Sequence, residues 1–409
     1  MSQKPEILPV LLGGDANVYG MARSFYMEYG IPSVAIGKGG LSAVANSKLV
    51  KVAVAEPNIE DDGVFVKTLT DFAGSHPNKT LVLVSCGDNY TTLLSRNRAA
   101  LEPYYKFATP TPELVRELDT KEYFYQACEA HGLSYPKTFG CTSRNYKTVK
   151  LPFDFPCIIK ASNSVAYWNC KFPHKKKVFV ANNQEEFDAI CAAIYSSSYQ
   201  DNLVLQEYIP GDDNCMRVLN CYSGLDHKVK LMALGRPLLE EQTPEGIGNY
   251  AAILSVREDE ILGRMKAFLE DVGWEGFSNF DMKFDVRDGK YKLFEMNPRQ
   301  GRSSFFVTAS GYNLAKWLVD DVVYHKDMDL TIADTSHLWM IAPAGILKKY
   351  LKDESLLADA KALMKAGKVS HQLFCREDAT PKRALWYIKN QLNNYRKYKR
   401  YFGNKGLRD

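Results

Sequence analysis

Two carboxylates and one amide, Asp281, Glu295 and Asn297, are the oxygen-bearing side chains this sequence offers most suggestively for binding a hard cation. Mg²⁺ takes such oxygen ligands and keeps the rest of its shell for water and substrate phosphates. Arg299 and Arg302 follow at once and would put positive charge where an anion sits beside the metal. The three oxygens meet only if the chain folds back between them. Phe280 to Val286 and Lys290 to Met296 alternate as strands do, around the turn signal Arg287-Asp288-Gly289. A three-residue loop with Gly289 in the left-handed conformation sets Asp281 opposite Glu295 and Asn279 opposite Asn297. One face then carries Asn279, Asp281, Lys283, Glu295 and Asn297. The other carries Phe280, Met282, Phe284, Phe294 and Met296 as a core face. A two-residue turn would part Asp281 from Glu295, so the alternation favours the longer loop. Taken alone, such a hairpin is equally an acidic surface with Lys283 as its ion-pair partner. The rest of the chain has to decide.

The 409 residues suggest two or three packed units, and 45% hydrophobic with 24% charged residues is ordinary for a globular protein. A net charge of +4 is too mild to imply nucleic-acid binding. No charged-then-apolar leader opens the chain and no run of about 18 apolar residues occurs, so a cytoplasmic protein without a membrane span is expected. The nine cysteines are scattered without CxxC pairs, as buried free thiols would be.

Strand and helix alternate at the start. Ile7 to Leu12 reads as a buried strand, Gly13-Gly14-Asp15 turns into a helix from about Val18 to Tyr29, and apolar runs follow at Ser33 to Ile36, Leu49 to Ala55 and Leu81 to Cys86. The last ends in Gly87-Asp88-Asn89. This is the pattern of an open, mostly parallel α/β sheet, whose ligands sit at such loops. Neither GxGxxG nor GxxxxGK[ST] is present, which disfavours a nicotinamide enzyme or a P-loop NTPase. Asp119-Thr120 then caps a helix from Lys121 to about His131, stopped by Gly132. Lys160 ends the strand Phe155 to Lys160 and precedes a small-residue polar loop, Ala161 to Ala166, and a basic segment, Lys171 to Lys177. A strand-end lysine is costly to bury without an anion or a polar partner. The strand Leu203 to Glu207 runs into Tyr208-Ile-Pro-Gly-Asp-Asp213. Further strands, Met216 to Cys221 and Lys228 to Leu234, and a helix from about Glu260 to Val272 lead to the acidic hairpin. Beyond Thr308 the chain reads as helical, ending in a basic, aromatic stretch from Pro381 to Phe402.

The order Lys121, Lys160, Glu207 with Asp213, Asp281, then Leu293-Phe-Glu-Met-Asn-Pro-Arg299, resembles the ATP-grasp carboxylate–amine ligases across about Ile7 to Tyr324. Four strings bring it nearest the D-aspartate ligases of bacterial cell-wall synthesis: Leu11-Leu-Gly-Gly-Asp-Ala-Asn-Val-Tyr-Gly-Met-Ala-Arg-Ser-Phe25, Tyr208-Ile-Pro-Gly-Asp-Asp213 with Met216-Arg-Val-Leu-Asn220, Asn279-Phe-Asp-Met-Lys283, and Arg299-Gln-Gly-Arg-Ser-Ser-Phe-Phe-Val-Thr308. The resemblance implies an α/β chain: a Rossmann-like unit over 1–118, an ATP-grasp unit over 119–325 with lobes at about 119–205 and 206–325, and a helical basic extension over 326–409. It implies ATP and Mg²⁺ as cofactors. Lys121 and Lys160 would line the phosphates, and main-chain groups of Gln206, Glu207 and Ile209 would read the adenine. Asp213 would hold the ribose, and Asp281, Glu295 and Asn297 the metal. Arg299 would stabilise the reacting phosphate, with Arg302, Ser303 and Ser304 for donor or acceptor. The implied partners are an amino acid and a peptidoglycan precursor peptide.

The sequence departs from the family after Lys160. Many members have a glycine-rich loop there, whereas this chain reads Ser162-Asn163-Ser164-Val165-Ala166-Tyr167. Lys171, Lys175 to Lys177, Arg217 and Arg236 stay open as the γ-phosphate contact. No covalent nucleophile is evident, with no GxSxG and no Cys beside a plausible His. Three other readings stand beside a D-aspartate ligase. One is an ATP-grasp ligase with another donor or acceptor, and one is a nucleotide-binding regulator without turnover. The third is an adaptor whose basic tail, Arg383 to Arg400, touches a membrane surface or a phosphate-bearing precursor.

Overall fold

The computed structural model describes residues 6–39, 43–243 and 246–402, the side chains at 164, 165 and 168 excepted. Its first sheet is wholly parallel, in the spatial order Val50–Ala55, Ser33–Gly37, Ile7–Leu12, Thr80–Ser85, Tyr105–Lys106. The two central strands are almost continuously apolar, as strands covered on both faces must be. Asp15 caps the helix Ala16–Tyr29 by accepting from the Asn17 and Val18 amides at 2.9 and 3.3 Å. The turn between the first strand and its helix is thereby fixed beside the Gly87-Asp88 loop.

A small antiparallel sheet follows, ordered Thr138–Cys141, Leu203–Glu207, Cys157–Ala161, Val178–Ala181. It has its own core, including Cys157, Ile159, Phe187, Tyr199 and Leu205. The polar segment expected as an open loop after Lys160 instead holds a short helix, Ser164–Asn169, capped where Asn163 accepts from the Ala166 amide at 3.0 Å. With an Asx cap and no glycine to favour an open loop, helix is the local outcome. Ser164 and Val165, part of that expected loop, lie outside the described side chains. The helix Lys121–Ala130 starts where expected, but Thr120 sits at the cap without a side-chain bond.

The third sheet carries the hairpin. Its main order is Lys290–Asn297, Gly276–Asp285, Met216–Ser223, Val229–Glu240, Tyr250–Val256, Leu338–Met340, Val369–His371, with Thr331–Ile332 beside the long fourth strand. The helices expected beyond Thr308 are present, and three short strands from this region also join the sheet. One face buries Phe280, Met282, Leu293 and Met296 against Phe124 and Phe268. The other buries Val218, Phe305 and Trp339 together with Tyr19 and Phe25 of the first helix.

The hairpin register carries one correction. Asp281 pairs with Glu295 and Asn279 with Asn297, as expected, but the turn is one residue longer. Asp285 pairs with Lys290, and Gly289, at φ +69°, donates its amide to the Asp285 carbonyl at 2.9 Å. A bulge then restores the register, because Asp281 faces Glu295 while Met282 faces Leu293. Phe294 is the extra residue and is only half-buried. Leu293 takes the core position expected for Phe294.

Candidate active site

Asp281 and Glu295 face a cavity of about 120 Å³ whose walls include Asn297, Arg299, Arg302, Tyr250 and Trp339. Loss of hydration, and next the neighbouring Glu295, push the Asp281 pKa up to about 7; Tyr250 opposes this by donating its hydroxyl to Oδ1 at 2.7 Å. Two carboxylates forced together in this way call for a cation. Lys121 supplies one, its Nζ 3.6 Å from Glu295 Oε2. Asn297 donates to Asn279 Oδ1 at 3.1 Å and accepts from Arg299 at 3.3 Å. The all-oxygen set of Asp281, Glu295 and Asn297 fits a hard divalent ion with open positions for phosphate and water. Among the described residues, no group of three or more His, Cys, Asp or Glu gathers as a metal cluster.

Arg299 reaches from the end of the hairpin to the first sheet. Its Nε lies 2.9 Å from Asp88 Oδ1, and one terminal nitrogen donates to Oδ2 at 3.0 Å. Asn17 reinforces this junction by donating to the Gln300 carbonyl at 2.8 Å. Close packing also needs Gly301, where a Cβ would come within 2.8 Å of Asn279 Nδ2. Arg302, in the cavity wall, donates to Glu241 Oε1 at 2.9 Å, and the Glu241 amide donates to the carbonyl of the wall residue Asn249 at 2.8 Å. Ser303 lines the same wall.

Lys160 approaches from the small sheet. Loss of hydration pushes its pKa down to about 7; Lys121 and Lys177 lower it further, while Glu295 opposes them. Its Nζ donates to Gln206 Oε1 at 3.1 Å. Gln206 donates onward to Tyr125 Oη at 2.9 Å, and that hydroxyl donates to the carbonyl of the bulged Phe294 at 3.0 Å. A continuous chain therefore ties the small-lobe lysine to the hairpin. The bulge has a use: it turns that carbonyl towards Tyr125.

The remaining expected residues divide. Ile209 is buried. The Glu207 carboxylate is occupied by Arg287 at 2.7 Å and the Lys137 amide at 3.1 Å, and its own amide donates to the Lys137 carbonyl at 2.8 Å. Asp213 accepts from the Glu240 amide at 3.1 Å. Arg217 and Arg236 stand on the wrong face for phosphate. Arg217 pairs in register with Met282 rather than Asp281, and its Nε donates to Glu258 at 2.6 Å; Arg236 donates to the Asn214 carbonyl at 3.0 Å. Lys177 reaches across to the Ile247 carbonyl at 3.4 Å, next to cavity residues Gly248 and Asn249. Lys175 is turned to the Cys170 carbonyl at 2.8 Å.

Tyr250, Trp339 and Glu241 were not anticipated from sequence. The uncharged run Tyr250 to Val256 after a glycine-bearing turn was the available strand signal for Tyr250. Trp339 arrives from far along the chain and is fixed by Gln372, which accepts its indole N–H at 2.8 Å and donates to the Ala16 carbonyl at 2.7 Å.

No family model matches the chain. The curated D-aspartate ligase of Enterococcus faecium (strain Aus0004) is 40% identical over 413 residues, covering 98% of each chain. Among solved structures, an ADP complex of N5-carboxyaminoimidazole ribonucleotide synthetase superposes with a TM-score of 0.59 at 14% identity, covering 89% of this chain and 88% of that one. The L-amino acid ligase of Bacillus licheniformis gives 0.55 at 12% identity, covering 78% and 75%. These two likenesses carry the fold, an ATP-grasp unit behind a Rossmann-like α/β unit. The family assignment rests on the first comparison, and ligases of this class work with ATP and Mg²⁺. The chain belongs to the D-aspartate ligase family of ATP-dependent ATP-grasp carboxylate–amine ligases.

Proposed function

We propose that this ligase activates the β-carboxylate of D-aspartate and joins it to the side-chain amine of the third residue of a peptidoglycan precursor peptide in the cytoplasm. The observation that carries this is the facing of Asp281 and Glu295 beneath Lys121 and Arg299, in a chain so similar to a D-aspartate ligase. Lys121 and Lys160 lie along the triphosphate, main-chain groups from Gln206 to Ile209 hold the base, and Asp213 holds the ribose. Asp281, Glu295 and Asn297 hold Mg²⁺, which when bound draws charge from the terminal phosphates. A carboxylate oxygen of the donor attacks the γ-phosphorus and ADP leaves. The acceptor amine then attacks the acyl carbon, and phosphate departs with the C–O bonding pair and the proton the amine gives up, leaving an amide.

Arg299 faces the negative charge that builds on the acyl phosphate and on its tetrahedral successor. Arg302 and Glu241 form an ion pair suited to the far end of an amino acid, the guanidinium for the α-carboxylate and the carboxylate for the α-ammonium. Trp339 closes the apolar wall. The test is phosphate release across D- and L-amino acids with and without a lysine-containing muropeptide. D-Aspartate should dominate and require the peptide for amide formation; preference for another donor would move the chain to a different substrate within the family.

A further inference from the structure

The last helix, Pro381–Tyr401, is gripped on one side only. Its inner face is bonded to the body: Arg383 donates to the Ala43 carbonyl at 2.7 Å, Gln391 to Ile341 at 3.2 Å, and Tyr398 to Glu240 at 2.6 Å. The outer face exposes Leu385 at 69%, Ile388 at 54%, Leu392 at 58% and Tyr395 at 44%. Spacings of three, four and three residues align these four along one stripe. Lys382, Lys389 and Arg396, seven residues apart and all exposed, form a row along one edge of it. Lys399 continues the Leu385–Leu392 line towards the C-terminal end. The 21 residues contain no Asp or Glu.

An apolar stripe beside a row of cations on an anchored helix has the chemistry of an interfacial segment. We propose that this face docks on an anionic lipid bilayer, with the apolar row among the acyl-chain ends and the cations at the headgroups. A second copy of the chain fits poorly, since pairing the face with itself sets cations against cations. A nucleic acid offers phosphate but nothing to cover Leu385, Ile388 and Leu392. Docking requires no membrane span, and among the described residues no helix is long and apolar enough to cross one. Because Gln391 and Tyr398 tie the helix to Ile341 in the cavity wall and to Glu240 next to Glu241, a docked helix would hold the cavity close to the membrane. The inference does not depend on which amino acid is ligated.

The test is co-sedimentation of the full chain with vesicles of phosphatidylcholine and phosphatidylglycerol (3:1), and with phosphatidylcholine alone. Binding should need the anionic lipid and weaken as salt rises. The Lys389→Gln/Arg396→Gln pair should reduce it by about thirty-fold, from roughly a tenfold loss per 1.4 kcal/mol and about 1 kcal/mol per cation. Ile388→Ser/Leu392→Ser should abolish it, while both variants keep wild-type ligation of a soluble acceptor. Equal binding to neutral vesicles, unchanged binding by both variants, or no binding at low salt would overturn the proposal. A wild-type dimer in sedimentation that Ile388→Ser/Leu392→Ser makes monomeric would also overturn it, by assigning the face to a second copy.

Discussion

Arg299 and Asp88 are joined at two points, Nε to Oδ1 at 2.9 Å and a terminal nitrogen to Oδ2 at 3.0 Å. This ion pair, one arm of it a hydrogen bond to Oδ2, ties the end of the acidic hairpin to the loop after a strand of the parallel sheet. It also aims the guanidinium past Asn297 into the cavity.

Removing either partner should therefore act on turnover more than on nucleotide binding. Arg299→Ala should lower kcat by about 10²–10³-fold, the usual cost of losing a charge-stabilising donor. Asp88→Asn, which leaves Arg299 less well aimed, should lower kcat by about tenfold with ADP affinity nearly unchanged. Steady-state kinetics with ADP titration checks both, and a loss of ADP affinity matching the loss of kcat would reassign the pair to nucleotide binding.

Lys160 should make ATP binding depend on pH in a definite direction. Loss of hydration, then the Lys121 charge, pushes its pKa down to about 7, and triphosphate would favour the charged form and raise it again. Below pH 6 the lysine is charged with or without ATP, so it adds no pH dependence there. Above pH 7 binding must recover a proton, and affinity should fall by up to about tenfold per unit. Calorimetry at pH 8 in two buffers of different ionisation enthalpy should show proton uptake, which Lys160→Gln removes. Equal heats in the two buffers would contradict the assignment.

The Arg302–Glu241 pair makes a prediction about selectivity. Succinate lacks the α-ammonium of D-aspartate, so Glu241 should discriminate between them. Glu241→Gln should raise the D-aspartate KM by about tenfold or more, since an ionic partner typically contributes about 1.5–3 kcal/mol, and should leave succinate use nearly unaffected. Donor-dependent ADP formation measures the ratio; an unchanged ratio would remove Glu241 from the donor site.

The hairpin bulge can be tested through stability. Leu293 is fully buried opposite Met282 whereas Phe294 is half-buried. Leu293→Ala should cost about 2–5 kcal/mol in urea unfolding, and Phe294→Ala less despite its larger side chain. The reverse order would mean the simple three-residue register.

That hairpin also shows how much could be read from the sequence. Period-two alternation was enough to pair Asp281 with Glu295, because a turn one residue longer and a one-residue bulge at Phe294 cancel. The cancellation itself was invisible, since Leu293 and Phe294 are both apolar. The helix after Asn163 did not stand out from a polar loop, although Asn163 caps it. Arg217 and Arg236 could not be assigned a face without knowing that Arg217 stands opposite Met282. Trp339 and Glu241 reach the site through sheet pairing and a hairpin mouth, which depend on contacts remote in sequence.

The central claim is that Asp281 and Glu295 form the metal end of an amino-acid-activating ATP site. It is tested most directly by Mg²⁺ titration of D-aspartate- and muropeptide-dependent phosphate release in the wild type and in Glu295→Ala. The wild type should saturate with Mg²⁺, whereas Glu295→Ala should lose nearly all release and need at least about ten-fold more Mg²⁺ for what remains. Wild-type release and an unchanged Mg²⁺ requirement in Glu295→Ala would contradict it.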